Sequence, residues 1–219
     1  MKNISIALDG PSGSGKSTIA KFLSKKMNIL YLDTGAMYRA CAVKALKMGI
    51  DTLDEEKVKT FIGDIDIEIK YADGTQKTFL DGEDVSEKIR EPQVSMAASN
   101  ISSLKCVRLK MVEMQREIAE KMSCVLDGRD IGSYVLPNAK YKFYITASVD
   151  VRAKRRYDEL KAKGHDVNFN ELQKEIEQRD YNDSHRDFAP LTRAEDAILI
   201  DTSDMSIEEV VNKVYSFIK

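Results

Sequence analysis

Short, nearly continuous apolar runs alternate along the chain with longer segments of helical period. The runs ISIAL (4–8), ILYL (29–32), CVLD (124–127), YKFYI (141–145) and AILI (197–200) predict buried strands. Between them, Ile19, Phe22, Leu23 and Met27 recur at helical spacing after Lys16, and Val107 to Met122 carries a similar stripe. Strands that are apolar throughout, rather than alternating, belong in a sheet covered on both faces. The pattern therefore predicts an α/β fold with a parallel sheet flanked by helices.

Two regions depart from this rhythm. From Ile65 to Leu80 the period falls to two (Ile65, Ile67, Ile69, Tyr71), and Asp73-Gly74 supplies a tight turn, which predicts an inserted β-hairpin. Residues from about 150 to 188 are dense in charge. There Arg152, Arg155 and Arg156 share one helix face, and Arg179, Asp183 and Arg186 share another. Each triplet is either a binding surface or a solvated face with ordinary charge pairs. No internal repeat or low-complexity linker interrupts the chain.

Four strands end in aspartate, at Asp9, Asp33, Asp127 and Asp201. In open parallel sheets ligands bind beyond the carboxyl ends of the strands, but aspartate is also a good turn and cap residue. For Asp201, in DTSDMS, the turn role is expected.

With 219 residues, 42% of them hydrophobic and 32% charged, the chain has a soluble globular balance and can bury a sizeable core. Its formal charge of −2 provides no general field for nucleic acid or an anionic membrane, so neither is an expected partner. Any anion site must come from local clustering of cations. Cys41, Cys106 and Cys124 are widely spaced and odd in number, which predicts reduced thiols. Asp9 cuts the first apolar run, and no run approaches the ~18 apolar residues a membrane helix needs. A cytoplasmic protein is expected, and a monomer, since no long exposed apolar stripe is visible.

The chemistry starts at Gly10-Pro11-Ser12-Gly13-Ser14-Gly15-Lys16-Ser17-Thr18, which follows a strand and opens a helix. This is G-x-x-x-x-G-K-[ST] in its required setting. Glycines let successive backbone N–H groups turn inward, and the helix N-terminus adds partial positive charge. Lys16 then reaches the β and γ phosphates, and the Ser17 hydroxyl ligates Mg²⁺. The loop predicts a nucleoside triphosphate site. A guanine-reading switch is disfavoured, because the only Asn-Lys pair, in NKVY (212–215), lies inside the last helix. A small-molecule kinase fits better than a nucleic-acid motor.

A kinase acting on a nucleoside monophosphate needs cations for the acceptor phosphate and for the moving group. Arg39, Arg129 and Arg186 are candidates for the first set, and Arg152, Arg155 and Arg156 for the second. GPSGSGKST (10–18), DTGAMYR (33–39), DGRDIG (127–132), RDYNDSHR (179–186) and APLTRAEDAILIDTS (189–203) together resemble the bacterial cytidylate kinases. The resemblance covers essentially the whole chain. It includes DGEDVSEKIR (81–90), similar to the enlarged monophosphate lobe of those enzymes.

The resemblance implies a single P-loop kinase domain, residues 1–219, with a five-stranded parallel sheet. It also implies a lobe for the nucleoside monophosphate at 36–100, a hairpin insert at about 62–90 and a helical lid at about 150–188. It implies transfer of phosphate from Mg·ATP to CMP or dCMP. Arg39, Arg129 and Arg186 would hold the acceptor phosphate with Tyr38 nearby, and Ser99, Arg108 and Asp130 would read the cytosine edge. Arg179 and Asp183 would contact the pentose. Lys16, Arg129 and the arginines at 152, 155 and 156 would neutralise developing charge. Thr34 stands where many members have Ser, and keeps the hydroxyl. Asp127 has two readings, a magnesium ligand acting through water and a turn residue. The alternatives are a kinase for UMP or another monophosphate, and a nucleotide sensor without turnover. His165 and His185 are expected to be solvated, and Met111, Met114 and Met122 to pack in the core.

Overall fold

A computed structural model describes residues 3–72 and 75–218. Its order is β1 (Ser5–Asp9), α1 (Lys16–Met27), β2 (Leu30–Asp33), α2 (Thr34–Lys47), α3 (Glu55–Ile62), β3 (Ile67–Ala72), β4 (Thr75–Leu80) and β5 (Glu83–Asp84). Then come α4 (Pro92–Ile101), α5 (Lys105–Lys121), β6 (Cys124–Gly128), β7 (Tyr141–Thr146), α6 (Val149–Ala162), α7 (Phe169–His185), β8 (Ile198–Asp201) and α8 (Ile207–Ser216). The apolar runs form a five-stranded parallel sheet in the order β2-β6-β1-β7-β8. The chain divides into two compact units, residues 1–30 with 122–219, and residues 31–121.

In the larger unit the sheet core is apolar. Ile6, Leu8, Val125, Leu126, Phe143, Ile145 and Ile200 are buried, with Ile19, Ala20 and Leu23 of α1 and Val210 and Val214 of α8. Phe22, on the predicted α1 stripe, is instead 41% exposed, and the Lys26 ammonium lies 5.4 Å from its ring centroid. Register then fixes the site. Ser5 lies opposite Cys124 and Asp9 opposite Gly128, so β1 and β6 end level and their following loops leave side by side. The charged region becomes α6 and α7, packed around Ala153, Leu172 and Ile176. Ser148 and Asn168 cap their N-termini.

In the smaller unit β3, β4 and β5 form an antiparallel sheet, with Ile67 opposite Leu80 and Lys70 opposite Lys77. The predicted turn at Asp73-Gly74 lies outside the described residues. A second Asp-Gly pair, Asp81 (φ 50°) and Gly82 (φ 82°), has the two positive φ angles of a type I′ turn and joins β4 to β5. Met111 is buried as expected, but Met122, one residue past the end of α5, is 44% exposed and takes no part in the core. The three cysteines are free thiols. Among the described residues no helix is long and apolar enough to cross a membrane.

Candidate active site

The loop after β1 is shaped by its first glycine. Gly10 has φ 142°, and a Cβ there would stand 1.9 Å from the Ile145 carbonyl oxygen, so no side chain fits. Gly13 and Gly15 also have positive φ. The loop wraps Lys16, which is buried, with Nζ donating to the Pro11 carbonyl at 2.7 Å and to Ser14 Oγ at 3.3 Å. Burial and the nearby Arg129 guanidinium push the Lys16 ammonium down to about 7, against the opposing pull of Asp127, Asp9 and Asp183. An anion in the loop would remove that disadvantage.

Ser17 Oγ donates to Asp127 Oδ2 at 2.6 Å. A hydroxyl and a carboxylate this close are two hard oxygen donors, which suit Mg²⁺. Among the described residues no group of three or more His, Cys, Asp or Glu is placed to hold a metal, so further ligands would be phosphate and water. Asp9 is turned the other way. It accepts from Ile131 N and Gly132 N at 2.7 Å each, and burial pushes its carboxyl up to about 6.

Beyond β6, Arg129 donates from Nε to Asp183 at 2.8 Å and from Nη1 to the Gly128 carbonyl at 3.2 Å. Arg186 lies 3.5 Å from Asp130, 3.8 Å from Asp183, and donates from Nε to the Ala189 carbonyl at 2.7 Å. Burial opposes ionisation of Asp183, but Arg129, Arg186 and Arg179 outweigh it and hold the carboxyl below its ordinary range. One carboxylate thus gathers three of the predicted arginines.

The three α6 arginines differ from one another. Arg152, 3% exposed, donates to the Ala147 carbonyl (2.9 Å), the Ser12 carbonyl (3.1 Å) and both oxygens of Asp180. Arg155 donates to Thr202 Oγ1 at 3.1 Å and to its carbonyl at 2.7 Å. Arg156 pairs with Glu159 on an open surface.

In the smaller unit Asp33 caps α2 through Oδ1, which accepts from Ala36 N at 2.9 Å. Its Oδ2 accepts from Arg39 and Arg90 at 3.0 Å each. Burial works against the Asp33 charge, yet the two guanidinium groups hold the carboxyl below its usual range. Thr34 is buried in the first turn of α2. Arg108, 1% exposed, lies over the Tyr38 ring at 5.4 Å and donates to the Ser102 carbonyl at 3.2 Å. The Ser99 carbonyl accepts from Ser102 Oγ at 2.9 Å, which ties together the end of α4.

Residues 6–219 match the family model described as cytidylate kinase. The chain belongs to the cytidylate kinase family. It is 53% identical to a cytidylate kinase of Caldicellulosiruptor bescii, covering 98% of this chain and 95% of that one. It is 49% identical to a cytidylate kinase of Clostridium botulinum strain Loch Maree, over 100% and 99% of the two chains. A solved structure of an uncharacterized protein from Eubacterium ventriosum is similar in fold, with a TM-score of 0.55 at 15% identity over 99% of this chain and 98% of that one.

Three further polar residues, none of them a candidate from the sequence, are engaged in the structure. Arg90 shares the Asp33 carboxylate with Arg39. Asp180 holds Arg152. Thr202 is buried, and its hydroxyl donates to the carbonyls of Ser14 (3.2 Å) and Thr146 (3.1 Å), joining the phosphate loop to the end of β7. Asp180 was open to discovery, because it lies one residue past Arg179 in the charged stretch. Arg90 and Thr202 carried no local signal beyond membership of the quoted motifs.

Proposed function

We propose that this protein transfers the γ-phosphoryl group of ATP to CMP and dCMP, giving ADP with CDP or dCDP, by direct in-line displacement without a phosphoenzyme. The observation that carries the reading is the phosphate loop closed around Lys16, with Ser17 and Asp127 2.6 Å apart at its mouth. Gly10 to Thr18 take the triphosphate, with backbone N–H groups and the start of α1 facing the anion. Ser17 and Asp127 would hold Mg²⁺ arriving with ATP, which would offset phosphate charge there.

In the smaller unit the CMP ligands are Thr34, Tyr38, Arg39, Ser99 and Arg108. In the larger they are Arg129, Asp130, Arg179, Asp183 and Arg186. Cytosine offers an amino donor and acceptors at N3 and O2, so Asp130 accepts from the amino group while Ser99 and Arg108 donate. A monophosphate is already anionic, so the reaction needs no general base. Lys16, Arg129 and the lid arginines Arg152, Arg155 and Arg156 compensate the charge on the moving group as water is excluded. On this reading residues 1–219 are one kinase domain, with a monophosphate lobe at about 36–100 and a lid at about 150–188. The protein works as a cytoplasmic monomer, independent of nucleic acid or membrane.

The test is a coupled ADP-release assay with Mg·ATP and CMP, dCMP, UMP, AMP or shikimate. Turnover with CMP and dCMP and little with the others is expected. Turnover with AMP or UMP would overturn the base pocket, and silence with all five would overturn the reaction.

A further inference from the structure

Asp9 takes no part in the functional reading above, yet it is buried with both carboxylate oxygens bonded to backbone amides. It is 4% exposed, and each of its oxygens accepts one backbone N–H, Oδ1 from Ile131 and Oδ2 from Gly132, at 2.7 Å. Those two amides begin a single π-helical turn, Ile131–Val135, which closes through Tyr134 N and Val135 N donating to the Asp130 carbonyl at 2.9 and 3.0 Å. The first N–H groups of a helical turn have no partner within the turn. Here a carboxylate 122 residues away in sequence supplies both acceptors.

We infer that Asp9 is a positioning residue, which through Ile131 and Gly132 fixes the direction of Arg129 and Asp130 relative to the phosphate loop. The inference rests on the reading of Arg129 and Asp130 as CMP ligands.

Three features make the connection stiff. Asp9 immediately precedes Gly10, whose backbone is pressed against the Ile145 carbonyl and cannot shift to follow a moving carboxylate. Gly132 is the residue that lets the carboxylate approach, because a Cβ there would lie 3.3 Å from Asp9 Oδ2 and 3.2 Å from Lys142 Cδ. The two oxygens of one planar carboxylate on two successive amides also fix orientation as well as distance, with charge-assisted bonds. Asp130, at φ −143° and ψ 24°, is the bend between this anchored turn and β6. Small rotations of the turn therefore become displacements of the Arg129 and Asp130 side chains. Both Asp9 oxygens are occupied by protein donors, so Asp9 acts through its neighbours rather than on a substrate.

Asp9→Asn tests this directly. An amide keeps one acceptor oxygen and turns its other group into a donor facing an N–H, so one of the two anchors is lost. The expected result is a rise in KM for CMP of roughly tenfold or more, with KM for ATP and the ATP-induced rise in Tm within about twofold of the parent. Gly132→Ala, which pushes on the same carboxylate from the other side, should move KM for CMP in the same direction by about threefold. The double variant should show less than the product of the two effects. Equal rises in KM for CMP and ATP, or an unchanged KM for CMP in either folded variant, would overturn the inference. If Asp9→Asn does not fold, Gly132→Ala alone decides on the same criterion. A parent enzyme inactive on CMP would overturn the functional reading instead, so the two failures are distinguishable.

Discussion

Arg129 Nε lies 2.8 Å from the Asp183 carboxylate, so an acid on α7 holds a guanidinium that leaves the end of β6. Arg186 lies 3.8 Å from the same carboxylate and 3.5 Å from Asp130. Without Asp183 these two cations would face each other with no shared counter-charge. Asp183→Ala is expected to lower kcat/KM by at least about tenfold for CMP and dCMP alike and to cost about 2 kcal/mol of stability. Steady-state kinetics with both nucleotides and a thermal melt check it. A loss confined to CMP would leave Asp183 as a pentose contact only.

The Ser17–Asp127 pair gives a second prediction. If Asp127 helps to hold Mg²⁺, Asp127→Asn should lower kcat by about a hundredfold at low magnesium. Activity should recover partly as magnesium is raised. ATP binding without metal, followed as a Tm shift, should persist. A kcat that is low and independent of magnesium would assign Asp127 to holding Ser17 and shaping the turn.

A third concerns acid stability. Burial works against the Asp33 charge, but Arg39 and Arg90 outweigh it and hold the carboxyl below its ordinary 3.8. Linkage then has a definite sign: the native state binds fewer protons than the unfolded chain in this range, so the contribution is present above about pH 4 and is lost as pH falls through the folded value. The Tm difference between the parent and Asp33→Asn should be constant from pH 8 to 6 and shrink below about pH 4. A difference that persists undiminished at pH 3 would assign Asp33 to the α2 cap alone.

What was legible in the sequence follows from the range of each interaction. The inner strands could be read because burial makes them apolar throughout, and the phosphate loop because its chemistry is local; β8 is apolar too but lies at the sheet edge with Leu199 50% exposed. Asp201 was rightly read as a turn residue, since its partner Ser203 is two positions on. The hairpin was legible from its alternation, but the type I′ turn at Asp81-Gly82 was hidden behind the earlier Asp-Gly pair. Asp9 with Ile131, Arg90 with Asp33, and Thr202 with Ser14 are 122, 57 and 188 residues apart. Such pairs depend on strand register and helix placement, which no local pattern encodes. Arg179, Asp183 and Arg186 were visible as a helical spacing, but α7 ends at His185 and Arg186 is extended (φ −69°, ψ 144°), so it meets Asp183 from beyond the helix rather than from a shared face. Arg129 as the partner of Asp183 carried no local signal.

The three α6 arginines, one set by their spacing, hold different partners in the structure. Arg152 uses its planar fork on Ser12, Ala147 and Asp180, and an ammonium cannot reproduce that geometry. Arg152→Lys is therefore expected to lower stability by about 2 kcal/mol as well as kcat. Arg156 is exposed and pairs only with Glu159 among the contacts described for it, so Arg156→Ala should change stability by less than about 0.5 kcal/mol. If Arg156 meets the transferring phosphoryl group when substrates bind, that same variant should lose kcat by about a hundredfold with little change in either KM. Arg155→Ala should fall between them, because it frees Thr202 and so loosens the link between the phosphate loop and the end of β7. Melts and single-turnover rates on the three variants would resolve the set. An Arg156→Ala enzyme with unchanged kcat would remove Arg156 from the reaction and leave charge compensation to Lys16, Arg129 and the other two.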